Sequence, residues 1–295
     1  MGAYPEGAVG GGGSNVFIDG IKYIDDLKLL SFFSDYEFPA LPYDFYEGCA
    51  VELNNEIHIL GGNGNGTKHY KFNGSEWVQV STLPYNFYQG CAIVANNEIH
   101  ILGGYGNGTK HYKFNGSEWV QVSTLPYSLY RGSAVVLNNE IHIMGGWSSG
   151  RSHYKFDGSN WTSVSTLPYS LHNGSAVVLN NEIHIMGDTD TSDNKNHYKF
   201  DGSAWTSVST LPFGLKQGCA VVLNNEINIL GSAESPYYTY NYKFDGSAWT
   251  SVSTLPHQFY QGCAVPHDGC VHIIGGYNSQ AKHCGIQMKV YRKAA

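Results

Sequence analysis

The stretch from Gly132 to Gly146 reads Gly-Ser-Ala-Val-Val-Leu-Asn-Asn-Glu-Ile-His-Ile-Met-Gly-Gly, and its reading decides the fold. Two apolar runs of strand length flank Asn138-Asn139, a pair that tolerates the positive φ angles a tight hairpin turn demands. Working outward, His153 to Phe156 forms a third strand-like run, Asp157-Gly158 a second turn and Trp161 to Val164 a fourth run. This unit is a four-stranded antiparallel meander. It recurs along the chain. Leu-Pro followed six residues later by Gly stands at Leu41, Leu83, Leu125, Leu167, Leu211 and Leu255, with spacings of 42, 42, 42, 44 and 44 residues. A period of this length, carrying strand signals throughout, belongs to propeller blades. A lone meander of this composition exposes two apolar faces, whereas radial stacking buries both and ring closure protects the edges.

Counting the runs fixes the number of blades. The inner pair occurs six times, starting at Cys49, Cys91, Ser133, Ser175, Cys219 and Cys263, but the outer pair with its tryptophan only five times, at Trp77, Trp119, Trp161, Trp205 and Trp249. After Gly276 there is room for one further strand, roughly His283 to Arg292. Asp35 to Pro42 aligns with the fourth-run ending Val-Ser-Thr-Leu-Pro, so it supplies the missing partner. The expectation is an all-β, six-bladed propeller over 35–295 whose last blade is closed by an N-terminal strand. Residues 1–34 stand apart as a flexible segment, Gly10 to Ser14, plus a small hairpin of Val16 to Ile18 and Ile21 to Tyr23 about Asp19-Gly20. That segment reads either as an anchor to a larger assembly or, over its first 14 residues, as an engineered linker.

Composition agrees with this architecture and excludes several functions. Glycine accounts for 36 of 295 residues and charged residues for only 14 %, while 42 % hydrophobic and 14 % aromatic residues exclude a disordered chain. The net charge of −7 and the lack of a basic cluster argue against nucleic acid as a partner. No apolar run has the length of a membrane span, and Met1 to Gly13 has neither part of a signal peptide.

The repeat, with its double glycine at Gly61-Gly62, Gly103-Gly104, Gly145-Gly146 and Gly275-Gly276, its Tyr-Lys-Phe run and its tryptophan before Leu-Pro, resembles the kelch repeat. Gly187-Asp188 and Gly231-Ser232 depart from that motif. The near-identical copies are similar to kelch-like segments of bacteriophage tail and surface proteins and of gut-bacterial proteins. The resemblance implies a virion-surface recognition or structural propeller, with residues 1–34 docking other assembly subunits. Enzymes also exist on kelch propellers, but none of their catalytic motifs maps onto this chain.

Comparing the copies with one another separates scaffold from variable surface. The hairpin turns hardly change. The connector between Leu-Pro and Gly and the loop after the double glycine do change, and both emerge on one face of the disc. That face is expected to carry the ligand-binding residues Tyr46, Glu47, Tyr88, Tyr105, Tyr130, Arg131, Trp147, Arg151, His172, Lys216, Tyr237, Tyr238, Tyr260 and Tyr277. Asp188, Asp190 and Asp193 in the fourth unit's loop belong to the same variable surface. Aromatic rings beside amide and charged groups suit a glycan, whose C–H faces stack while its hydroxyls are satisfied, or a protein receptor. The alternative is a sugar-modifying enzyme of epimerase or mutarotase type, with Arg131 and Glu47 converging at the axial mouth.

The thirteen histidines invite a metal reading. Yet His58, His100, His142, His184 and His272 share one repeat position, and His69, His111, His153 and His197, with His283, share another. Copies of one position lie around a ring rather than on one ion, so no metal or other cofactor is expected. Cys49, Cys91, Cys219 and Cys263 share a site with Ser133 and Ser175, a small-residue position rather than half of a disulfide framework, which suggests folding in a reducing cytoplasm.

Overall fold

Each Asn-Asn pair takes left-handed φ at both residues, 52° and 62° at Asn138 and Asn139. This is the turn whose twist matches the flanking strands. Ser133–Leu137 therefore folds back on Glu140–Met144, with Val135 opposite His142 and Leu137 opposite Glu140. At the second turn the Asp157 carboxylate accepts the backbone N–H groups of Ser159 and Asn160, both at 2.8 Å, and sets His153–Phe156 against Trp161–Ser163. The computed structural model describes residues 35–187, 195–279 and 281–287, together with the backbone of 16–18 and 21–23.

Six such meanders form a closed six-bladed propeller. The inner strands are Cys49–Leu53, Cys91–Ala95, Ser133–Leu137, Ser175–Leu179, Cys219–Leu223 and Cys263–His267, and each packs against the next, the sixth against the first. The second strand of every blade has buried both its faces, Ile57 to Leu60 and Ile99 to Leu102 among them, because sheets stack on either side. This explains the absence of apolar–polar alternation. The sixth blade takes three strands from the C-terminal part of the chain, and Asp35–Glu37 pairs with His283–Gln287 as its fourth, Gly285 opposite Tyr36. The expected N-terminal closure is thus present. Val16–Ile18 and Ile21–Tyr23 pair with each other in the expected register.

Both glycines of the doublet hold positive φ, 68° at Gly145 and 100° at Gly146, but the first is the tighter. A Cβ on Gly145 would lie 2.0 Å from the carbonyl oxygen of Leu171 in the next connector, and the left-handed φ of 68° disfavours other residues as well. The second position is looser, and Ser232 occupies it while donating its hydroxyl to the Gly214 carbonyl at 2.9 Å.

The histidines bridge strands and blades. His58 Nδ1 lies 2.9 Å from His69 Nε2, and the pairs His100–His111, His142–His153, His184–His197 and His272–His283 repeat that contact at 2.8 to 2.9 Å. His69 Nδ1 continues to Ser81 Oγ at 2.8 Å, and that oxygen accepts the indole N–H of Trp119 from the next blade at 3.0 Å. Burial holds the first histidine of each pair at about 4 and the second at about 3, so both rings stay neutral. In the fifth blade Asn228 and Asn241 replace both partners together.

Candidate functional site

The inner strands all begin at the same end of the axis, and the residues just before them build its mouth. Six connector residues, Glu47, Gln89, Arg131, Asn173, Gln217 and Gln261, adopt left-handed backbone conformations with φ between 53° and 58°. Their backbones join head to tail. Gln89 N–H donates to Glu47 O, Arg131 to Gln89, Asn173 to Arg131, Gln217 to Asn173, Gln261 to Gln217 and Glu47 to Gln261, at 2.7 to 2.9 Å. The ring of hydrogen bonds closes on itself and holds one side chain per blade at the axis.

A second closed ring lies directly beneath. Cys49 Sγ–H donates to the Gly90 carbonyl at 3.3 Å, Ser133 Oγ–H to Gly174 at 3.4 Å and Cys263 to Gly48 at 3.3 Å, and Cys91, Ser175 and Cys219 do the same between their blades. The position accepts cysteine or serine because it needs a small hydrogen-bond donor. Burial pushes the thiols of Cys49 and Cys219 up to about 12, which keeps them protonated and donating.

Glu47 and Arg131, expected to converge only if the fold allowed it, do converge. Arg131 Nη2 lies 3.5 Å from Glu47 Oε1, and Gln261 Nε2 donates to the same oxygen at 3.3 Å, as does Gln89 Nε2. Asn63 Nδ2 donates to the other carboxylate oxygen at 3.2 Å. The Glu47 side chain is only 9 % exposed, so its charge is held by these donors. Arg131 Nε is buried without a hydrogen-bond partner among the described residues. With the glycines that follow them, the six residues line an open cavity of about 140 Å³.

Around this polar floor stands a crown of aromatic rings. Tyr105 contacts Tyr88 and Tyr130 at centroid distances of 5.3 and 5.4 Å, and Trp147 meets His172 edge-on at 5.3 Å. Across the axis Tyr277 stacks on Tyr260 at 5.7 Å and touches Tyr46 at 5.9 Å, while Tyr238 joins Tyr260 at 5.9 Å. Tyr105, Trp147 and Tyr277 are 54, 56 and 50 % exposed, unusual for large rings. Burial, then the neighbouring phenols, raises Tyr88 and Tyr260 above the usual tyrosine value, so they present neutral hydroxyls.

Other residues of the expected set sit elsewhere. Tyr237 stacks on the buried Phe213 at 5.4 Å and also meets Tyr240, so it fills the flank of the fifth blade. Arg151 donates Nε–H to the Leu167 carbonyl at 2.7 Å and braces a connector. Lys216 lies at the mouth but pairs with Glu234 at 3.7 Å. Asp188, Asp190 and Asp193 lie outside the described residues. The floor residues Gln89, Asn173, Gln217 and Gln261 belong to the variable connectors legible in the sequence, but only the structure sets them together at the axis. Their signal is positional, one polar side chain before the glycine that ends each connector.

No protein-family model matches the chain, and no curated protein is similar to it. Among solved structures it is similar to one titled "Structure of YjhT", with a TM-score of 0.75 over 86 % of this chain and 98 % of that one, at 16 % sequence identity. At that identity the likeness is one of fold, a six-bladed propeller of four-stranded antiparallel blades.

Proposed function

We propose that the protein is a non-catalytic recognition propeller whose axial mouth binds a glycan. One observation carries this reading: at six ring positions with φ near 55°, where glycine fits without strain, none of the six copies has glycine. A side chain in the left-handed region costs roughly 1 kcal/mol or more, and five of the six are Glu, Gln or Arg, which lack the tolerance for it that asparagine shows in the hairpin turns. Amide, carboxylate and guanidinium groups kept there against that cost, beneath a crown of half-exposed rings, supply what a saccharide needs: stacking for its C–H faces and hydrogen bonds for its hydroxyls. The resemblance of the repeat to kelch-like phage and gut-bacterial segments adds a setting to this proposal, display on a virion or cell surface with the mouth turned outward.

The test is a broad glycan array followed by calorimetry on Gln217→Gly and Asn173→Gly. Both variants relieve a left-handed side chain and are expected to keep wild-type stability within about 1 kcal/mol while weakening binding at least five-fold. Unchanged binding in both variants, or an empty array, removes the proposal.

The contact between Glu47 and Arg131 favours a second reading, a sugar-modifying enzyme using the pair as acid and base at the same mouth. Incubating array hits with the protein and following anomeric and epimer signals by NMR separates the two. Turnover abolished by Glu47→Gln supports the enzyme, and bound sugar recovered unchanged supports recognition.

A further inference from the structure

We infer that the mouth takes a single uncharged sugar ring, the terminal unit of a neutral glycan entering end-on, with the second unit lying on the aromatic crown. This rests on the glycan reading above and adds the ligand's charge and its mode of entry.

Size gives the mode of entry. The cavity of about 140 Å³ is well below the roughly 300 to 1,000 Å³ of sites that enclose a drug-sized ligand. A cavity this small and this open seats one pyranose ring and leaves the next unit outside it, on the crown. The cavity is lined by the six polar residues and the glycines behind them, and none of its lining residues lies deeper along the axis. At the next level the thiols and hydroxyls of the lower ring are already engaged with the glycine carbonyls. The side chains of Glu47, Gln89, Arg131 and Gln261 converge over the axis above this level, so the unit seated among them is the end of a chain.

Charge gives the class. The ionisable groups described at the mouth, tyrosines and His172 aside, form two opposite pairs, Glu47 with Arg131 and Lys216 with Glu234. An acidic sugar at Arg131 would bring a second carboxylate beside Glu47, whose side chain is only 9 % exposed, and the two like charges would repel. A neutral ring disturbs neither pair. Its edge hydroxyls can accept from the floor amides and from the partly exposed Arg131 guanidinium.

The experiment uses the full chain and three matched families of probe: linear neutral oligosaccharides from one to five units, cyclic oligosaccharides of the same sugar with no chain end, and linear forms whose terminal unit carries a C6 carboxylate. Affinity is expected to rise from one unit to two and then level off. The cyclic and acid-ended forms should bind at least ten-fold more weakly. Tyr277→Ala should lower disaccharide affinity about five-fold while leaving the monosaccharide unchanged. Glu47→Gln, which frees Arg131, should shift preference toward the acid-ended form at least ten-fold. Equal binding of cyclic probes, affinity still climbing beyond three units, wild-type preference for the acid end, or no shift in Glu47→Gln would overturn this inference while leaving glycan recognition standing. No binding of any sugar would remove recognition as well.

Discussion

Phe38 is the residue on which ring closure turns. In the outer strands of blades one to five its place is taken by Val80, Val122, Val164, Val208 and Val252, and the third-strand position of Gly285 is lysine in those blades, as at Lys71. In the sixth blade these two positions hold Phe38 and Gly285, and although Gly285 stands opposite Tyr36 in register, the Phe38 ring lies over it. The Phe38 ring stacks on His272 and His283, both at 4.6 Å, and meets Phe72 of the first blade edge-on at 5.7 Å. Its backbone N–H donates to the His283 carbonyl at 3.0 Å. Gly285 makes room for it, since a Cβ there would lie 2.7 Å from Cε2 of the ring. A fully buried Phe→Ala change costs about 3 to 5 kcal/mol. Phe38 is half-buried, so Phe38→Ala should cost about 2 kcal/mol, a fall of roughly 5 °C in Tm for a chain of this size. Gly285→Ala should cost about 1 to 2 kcal/mol by overpacking. In a Phe38→Val background the clash is gone, and alanine should then be neutral or better than glycine by about 0.5 kcal/mol, because glycine weakens a strand. The sign of the Gly285 effect therefore reverses between backgrounds. A double-mutant cycle in urea, followed by circular dichroism, measures this directly. If Gly285→Ala costs the same in the wild-type chain and in the Phe38→Val background, the ring and the glycine are not a matched pair and the clasp has been misread.

The histidine pairs make the fold acid-sensitive. Their folded values of about 4 and 3 lie below the unfolded value near 6.5, so the unfolded chain binds more protons and stability falls as pH drops below about 6.5, by up to about 1.4 kcal/mol per pH unit for each histidine. His142→Asn with His153→Asn, the combination the fifth blade already uses, should lessen the fall of the urea midpoint between pH 7 and 5 by about a fifth, since four such pairs remain; an unchanged slope would show that these rings do not control it. Trp161→Phe removes the indole bond to Ser123 Oγ at 2.9 Å and should cost about 1 kcal/mol in equilibrium unfolding, with no cost speaking against an inter-blade staple. Cys91→Ser should preserve stability better than Cys91→Ala, because only serine keeps the donor to the Gly132 carbonyl, and the reverse order would mean that size alone sets the position. Iodoacetamide at pH 8 should leave the thiols of Cys49 and Cys219 unmodified until the chain unfolds, as mass spectrometry of the labelled peptides would show.

The blades and their closure were legible because their signals are local. Asn138-Asn139 encodes a hairpin whatever surrounds it, and Asp35 to Pro42 shows its kinship to the fourth strand by alignment with the other copies. The partners of the buried polar groups were not legible, because they depend on register. His58 and His69 lie eleven residues apart and meet only once Leu60 stands opposite His69. The trace they left was the joint replacement by Asn228 and Asn241, which marks a pair rather than two separate positions. Similarly, the lower ring's preference for cysteine or serine suggested small size, while the absence of alanine from all six copies pointed to a donor. Tyr237 and Tyr238 are neighbours in sequence, yet the short helical turn Tyr237–Thr239 sends one ring to Phe213 and the other to the crown. No composition rule separates them.

The mouth shows why a repeat can be clear in sequence while its function stays hidden. A ring made of equal copies would place six equal side chains at the axis and would hold an asymmetric ligand in six equivalent rotations. Here one copy contributes Glu47, another Arg131, and four contribute amides, all hung from the same left-handed backbone. Because the closed chain of hydrogen bonds uses only main-chain atoms, each position can change its side chain without altering the ring. The chemistry of the mouth is thus set by single substitutions on a fixed frame. Two of them, Glu47 and Arg131, stand with one amide between them, so the polar floor has a direction across the axis. The crown has one too, since Tyr238, Tyr260, Tyr277 and Tyr46 form a continuous arc on one side and Lys216 with Glu234 interrupts it next to Tyr238. A ligand seated on this floor therefore has one preferred rotation about the axis, which a six-fold scaffold alone could not impose.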